Sequence, residues 1–291
     1  MMPIATDPQP PAPLLVAFVA DLMFTTRIAA VAAHLGYRVT WIESAAELGA
    51  PDAAAAPESP GERLRGPVGR LFAQIIDWQP ALLLFDLNNA AIPWRDWIAA
   101  LKSSAATRRI PVLCFGPHED TATMRAAHDA GADAVLARSR FTADMPALFT
   151  RYARVPDRAA LADACAEPLS DLARSGVVKF NEGAYYKAHD ALEEAWLADQ
   201  GAGRDLYRGI LQVGIAYHQI ERGNYRGAVK MLLRVRQWLE PLPEHCRGVD
   251  VAALRADVAR VYAALIALGP DGIAAFDCGL FGQIYFEEHE T

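Results

Sequence analysis

Residues 81–88 read ALLLFDLN, and the fold of this stretch decides the architecture of the chain's first half. Five apolar residues run without alternation before Asp86. A strand covered by helices on both faces needs such a run, because both of its sides are buried. Residues 14–20, LLVAFVA, have the same character. Working outward, shorter candidate strands lie at 38–42, 111–115 and 134–137, with helical patterns at 25–35, 67–77, 94–103, 121–130 and 144–153. Five strand–helix units in succession predict a doubly wound α/β domain with a parallel five-stranded sheet over residues 13–153. Ligand or signalling sites in such sheets lie beyond the carboxyl ends of the strands. Residues 45–67, rich in Ala, Pro and Gly, read as a flexible excursion between the second strand and its helix.

From about Arg154 the period changes. Residues 154–168 read as a helical linker, and helical patterns follow at 169–181, 184–198, 204–222, 225–239 and 251–268, with no strand among them. They predict an all-α bundle over 169–268. Residues 180–196 echo residues 220–238: Gly183/Gly223, Tyr185/Tyr225, Ala188/Ala228 and Leu192/Leu232 are each 40 apart. Helix, glycine turn, aromatic, small residue and amphipathic helix is the layout of tetratricopeptide-like hairpins. The tail, 269–291, carries Phe276, Leu280, Phe281, Ile284, Tyr285 and Phe286 and is expected to dock, since these are costly to leave in water.

The net charge of −7 argues against a broad basic surface, so nucleic acid is not expected as a partner. Arg222, Arg226 and Lys230, with Arg234 and Arg236, give the fourth helix of the bundle a basic side that reads as a solvated face. Four widely spaced cysteines, Cys114, Cys165, Cys246 and Cys278, read as buried reduced thiols. The run at 14–20 is too short to span a bilayer and lacks the charged start of a signal peptide, so a cytoplasmic protein without membrane contact is expected. No P-loop, GxGxxG or Ser-His-Asp pattern is found, and no cofactor is expected.

The α/β half resembles the receiver domain of response regulators, a flavodoxin-like fold. IPVLCFGPHEDTATMRAAHDAGADAVLARSRF, residues 110–141, has the shape of a receiver's last third. The resemblance places Asp86 where that family carries its phospho-accepting aspartate. It also shows departures. The acidic pair after the first strand is reduced to Asp21 in VADLMF, the Ser/Thr after the fourth strand is Gly116, and the Lys near the fifth is Arg138. Arginine keeps the charge but not lysine's compact geometry. Mg²⁺ at an aspartyl phosphate needs carboxylate ligands. The implied module is a pseudo-receiver, used for input or as a homodimer contact.

The helical half is similar to domain-of-unknown-function family 309 over 169–242. The matching pieces are FNEGAYYKAHDALEEAW and YRGILQVGIAYHQIERGNYRGAVKMLLRVRQWLEPLP. That family usually shows His-Glu where this chain has His189-Asp190. Within KAHDALEEAW, His189, Glu193 and Trp196 share one helical stripe flanked by Asp190 and Glu194. Arg208 and Gln212, four apart on the next helix, face them across a hairpin. The first reading is a structural network in which His189, Glu193, Arg208 and Gln212 satisfy one another. The second is a groove for a protein partner or small ligand, with Tyr185 and Trp196 as aromatic walls. The third is a metal-dependent or acid–base enzyme using His189 and Glu193. It ranks last, because zinc catalysis wants three protein ligands and no second His has matching spacing. The sequence therefore favours a non-enzymatic signalling or scaffold protein over a hydrolase-like enzyme that holds a divalent metal.

Overall fold

The protein is described here as a computed structural model covering residues 12–49 and 66–286. The sequence readings that fall on 1–11, 50–65 and 287–291 lie outside the described residues. The chain forms two compact units whose main division falls between Val155 and Pro156, with Ala105–Thr107 assigned to the second.

The first unit comprises β1 (Leu14–Phe18), α1 (Leu22–His34), β2 (Arg38–Trp41), α2 (Gly66–Trp78), β3 (Leu82–Asp86), α3 (Trp94–Ser103), β4 (Val112–Gly116), α4 (Thr121–Asp129), β5 (Ala134–Ala137) and α5 (Arg138–Tyr152). The sheet order is β2-β1-β3-β4-β5, and every pairing is parallel. This is the doubly wound order of receiver-like folds, with its topological switch point between β1 and β3. The unbroken apolar runs become β1, β3 and β4, each buried along its whole length. Alternate residues feed two cores. Leu15, Leu82, Leu84 and Phe115 pack with Phe24 and Ile28 of α1 and Phe141 and Phe149 of α5. Val16, Phe18, Leu83 and Phe85 pack with Ile75 of α2 and Trp97 of α3.

Two local differences from the sequence reading have physical causes. The excursion begins as an ordered 3-10 turn, Ala45–Leu48, because Ser44 and Glu47 form a capping box and Leu48 is buried. Helix α5 starts at Arg138 rather than near 144, with Pro146 inside it. A proline marks a first turn more often than an interior one, which draws a sequence-based start too far down the chain.

The second unit comprises α6 (Arg158–Ala166), α7 (Asp171–Asn181), α8 (Tyr185–Ala198), α9 (Asp205–Glu221), α10 (Tyr225–Leu239), β6 (His245–Cys246), β7 (Val249–Asp250) and α11 (Val251–Leu268). The 40-residue echo is real in three dimensions: Gly183 and Gly223 both take positive φ, +75° and +70°, between consecutive helices. Helix α9 runs through the core, burying Leu206, Tyr207, Ile210, Val213, Ala216, Tyr217 and Ile220. At Gly209 the buried Leu239 side chain of α10 packs close on the α9 backbone, and a Cβ there would stand 2.4 Å from Leu239 Cδ2. Gly209→Ala should therefore cost about 1–3 kcal/mol through overpacking, read as a lower thermal midpoint of the helical signal. An unchanged midpoint would show that the crossing has slack.

The helical half is not free of strands. β6 and β7 pair antiparallel across Arg247 (φ 54°) and Gly248 (φ 78°), a turn with both central φ positive. Two-residue strands carry too little pattern for a sequence to reveal them. The reduced-thiol reading of Cys165 and Cys246 is corrected as well: they form a disulfide, with Cα atoms 4.3 Å apart, that joins α6 to β6. Arg247 fixes the same corner. It is 6% exposed, bonds the Asp199 carboxylate at 2.7 Å and lies 5.2 Å over the Tyr207 ring.

Candidate functional sites

In the α/β unit, β3 delivers Asp86 to the crevice at the switch point, where its side chain is 3% exposed. One carboxylate oxygen accepts the backbone N–H of Asn88 at 3.0 Å. Both oxygens also accept from a single nitrogen, Arg138 Nη2, at 3.0 and 2.8 Å. Arg138 is the first residue of α5, directly after β5, so two strand ends bring the pair together. Its guanidinium also lies 5.0 Å over the ring of Phe24 in α1, and Phe24 rests on Phe115 at 5.0 Å. An ion pair backed by an aromatic face is worth more than an exposed one, since the cation is partly desolvated.

The other two receiver-like positions are engaged elsewhere. Asp21 caps α1, accepting the N–H of Met23 at 2.9 Å and of Phe24 at 3.4 Å. At Gly116 a Cβ would lie 3.3 Å from Leu87 Cβ and Cδ1, so Leu87 covers the space a hydroxyl-bearing side chain would need. Leu22 and Met23, beside Asp21, are 80% and 58% exposed.

In the helical unit the four-residue network is not formed. His189, 28% exposed in its side chain, has Asp190 at 3.4 Å as its hydrogen-bonding partner among the described residues and lies near-parallel to the ring of Tyr186 at 6.5 Å. Glu193 is exposed, and no hydrogen bond or ion pair reaches it among the described residues. Arg208 turns away from both and lies between two indoles, 4.5 Å from Trp196 and 4.2 Å from Trp238. Arg204 approaches Trp196 from a further side at 5.3 Å. Burial lowers the Arg208 pKa from its ordinary value, and the two rings offset part of that desolvation. Gln212 is 4% exposed, and its side-chain carbonyl is buried without a hydrogen-bond partner among the described residues. The long, flexible Arg208 side chain accounts for the difference: i,i+4 spacing fixes its face of α9 but not which side chains of the neighbouring helices it meets.

Tyr185 and Trp196 do not wall one groove. They stand at opposite ends of α8, and eleven residues span about 16 Å of helix. Tyr185 is buried in an aromatic cluster with Phe180 (5.3 Å) and Tyr217 (5.6 Å), and burial pushes its pKa up to about 12. Among the described residues, no three His, Cys, Asp or Glu side chains gather as a metal site. Arg222, which caps the end of α9, and Arg226 and Lys230, on α10, are exposed. No described helix is long and apolar enough to cross a membrane.

A relative described as an uncharacterized protein of Aquifex aeolicus (strain VF5) is 27% identical over 88 residues, which is 30% of this chain and 26% of that relative. The match thus spans about a quarter of the relative's length. Among solved structures, the receiver domain of a Pseudomonas aeruginosa PAO1 sensor histidine kinase, with magnesium in its active-site cleft, is 14% identical. It covers 48% of this chain and 97% of that one, at a TM-score of 0.37. A CheY-like protein of the same organism is 17% identical, covering 48% and 98%, at a TM-score of 0.35. The first unit has the receiver-like fold shown by its sheet order, and residues 173–231 of the second match the family described as Domain of unknown function (DUF309).

Proposed function

We propose that this chain is a non-enzymatic signalling or scaffold protein. Its α/β unit works without aspartyl phosphorylation, as an input or self-association module, and its helical unit binds a partner. The observation that carries this reading is the Asp86–Arg138 pair: both carboxylate oxygens face one guanidinium at 3.0 and 2.8 Å. A hard divalent cation needs those oxygens, and arginine cannot deprotonate to release them. The fixed positive charge at those oxygens would repel an incoming cation. The engagement of Asp21 as a helix cap supports the same reading, since two backbone N–H groups already hold its Oδ1.

Incubation with Mg²⁺ and acetyl phosphate, followed by intact-mass and peptide mass spectrometry, tests it. The expected result is no phosphate adduct on the peptide containing Asp86. Stoichiometric phosphorylation there would overturn the reading.

A further inference from the structure

Residues 276–286 follow the last helix of the second unit and form no regular element beyond a 3-10 turn, Cys278–Leu280, and a single bridge between Phe286 and Val249. Their backbone is nonetheless met group by group by side chains from three helices. Arg260 of α11 donates to the Leu280 carbonyl at 3.4 Å. The Tyr217 hydroxyl of α9 accepts the Gly282 N–H at 3.3 Å. The Asn181 side-chain amide, at the end of α7, closes on Ile284 from both sides: it accepts the N–H at 2.8 Å and donates to the C=O at 2.9 Å. These contacts fall on alternate residues, 280, 282 and 284, the period of an extended chain with one face turned to its support. One residue on, the Asp250 N–H donates to the Tyr285 carbonyl at 3.4 Å, so the segment begins a third strand beside the β6–β7 hairpin.

The side chains of the segment are read too. Phe281 lies flat on Tyr217, with centroids 4.2 Å apart and planes 6° apart, and edge-on to Tyr185 at 6.1 Å. Ile284 is 3% exposed. Position 282 admits only glycine, since a Cβ there would fall 1.7 Å from Asp257 Oδ2. By contrast Gln283 and Tyr285 point outward. Backbone bonds that give affinity, alternate side chains taken into pockets, and strand addition at a sheet edge are the means by which proteins hold extended peptides. None of the groups that do so here needs the held segment to be continuous with α11.

We infer that this face of α7, α9 and α11 is a binding site for an extended peptide of the form aromatic–Gly–x–aliphatic, and that residues 281–284, FGQI, occupy it in cis. The inference rests on reading the helical unit as a partner-binding module, and it names the chemistry of that partner.

The test titrates a fluorescein-labelled peptide of residues 276–286, carrying Cys278→Ser, with three forms of the full chain, read by anisotropy with circular dichroism on each form. In the wild type the cis segment competes at high effective concentration, so the peptide binds weakly. In Phe281→Ala/Ile284→Ala the cis segment is loosened, and binding tightens by at least about tenfold. Adding Asn181→Ala to that variant removes the gain. The inference is overturned if the loosened variant keeps its helical signal and takes up no peptide, or if Asn181→Ala leaves binding unchanged. It is also overturned if the loosened variant loses its helical fold, which would make the segment a part of the core. The phosphodonor result on Asp86 is read on the wild type alone and stands or falls separately.

Discussion

Arg138→Met is expected to destabilise the α/β unit by about 3 kcal/mol, because it strands the Asp86 carboxylate. Removing one partner of a buried pair costs about 3–5 kcal/mol, since the other charge is left without compensation. The lower end applies here, because Asp86 is 3% exposed but the Arg138 side chain is 30% exposed. The second half of the experiment separates pairing from packing. Asp86→Asn in the Arg138→Met background removes the stranded charge and keeps an acceptor for the Asn88 N–H, so most of the loss should return. Hydrogen exchange of amides in β3 and β4 is the right measurement, because it reports each unit of a two-unit chain separately. A single Arg138→Met variant with wild-type protection would show that the pair does not hold the crevice closed, and the phosphorylation-independent reading would lose its support.

Reduction of the Cys165–Cys246 bond is the second large effect. The bond spans 81 residues of sequence. In the chain-entropy account, a loop of that length restricts the unfolded state by about 4.5 kcal/mol. Reductant, or Cys165→Ser with Cys246→Ser, should therefore lower the denaturation midpoint of the helical unit and leave that of the α/β unit in place. Arg247 would partly mask the effect, because its bonds to Asp199 and to the Pro168 carbonyl hold the same corner without the sulfurs. Equal midpoints for the oxidised and reduced protein, with the oxidation state checked by alkylation and mass spectrometry, would refute it.

The parts of the fold legible from sequence are those in which a physical requirement repeats. Unbroken apolar strands marked the buried sheet, and α3, α10 and α11 fall where the periodicity put them. The glycines 40 apart located the hairpin turns because only a residue without Cβ takes their φ cheaply. The resemblance to receivers singles out Asp86 and Arg138, while their pairing is visible only in the fold. What stayed hidden depended on long-range meeting. No spacing rule joins residue 165 to 246, or Asn181 to Ile284. The i,i+4 spacing puts Arg208 and Gln212 on one face of α9 but does not name the partners, since a guanidinium on a four-bond arm can reach either the Glu193 carboxylate or the Trp196 and Trp238 indoles. The His189–Glu193 pair, absent from the second copy of the hairpin, was the most conspicuous signal in the sequence. The structure leaves it at the surface, attached to little beyond Asp190.

The disulfide also has a topological meaning. Residues 173–231, the whole stretch that matches the DUF309 family, lie between Cys165 and Cys246. That stretch is a covalently closed ring with two exits. A protease that nicks any turn inside it produces no separated fragments while the sulfurs stay joined: both pieces remain one molecule. The same closure means that new chain ends could be opened at a turn within the ring, such as the one at Gly183 or Gly223, without severing the family segment from the rest of the protein.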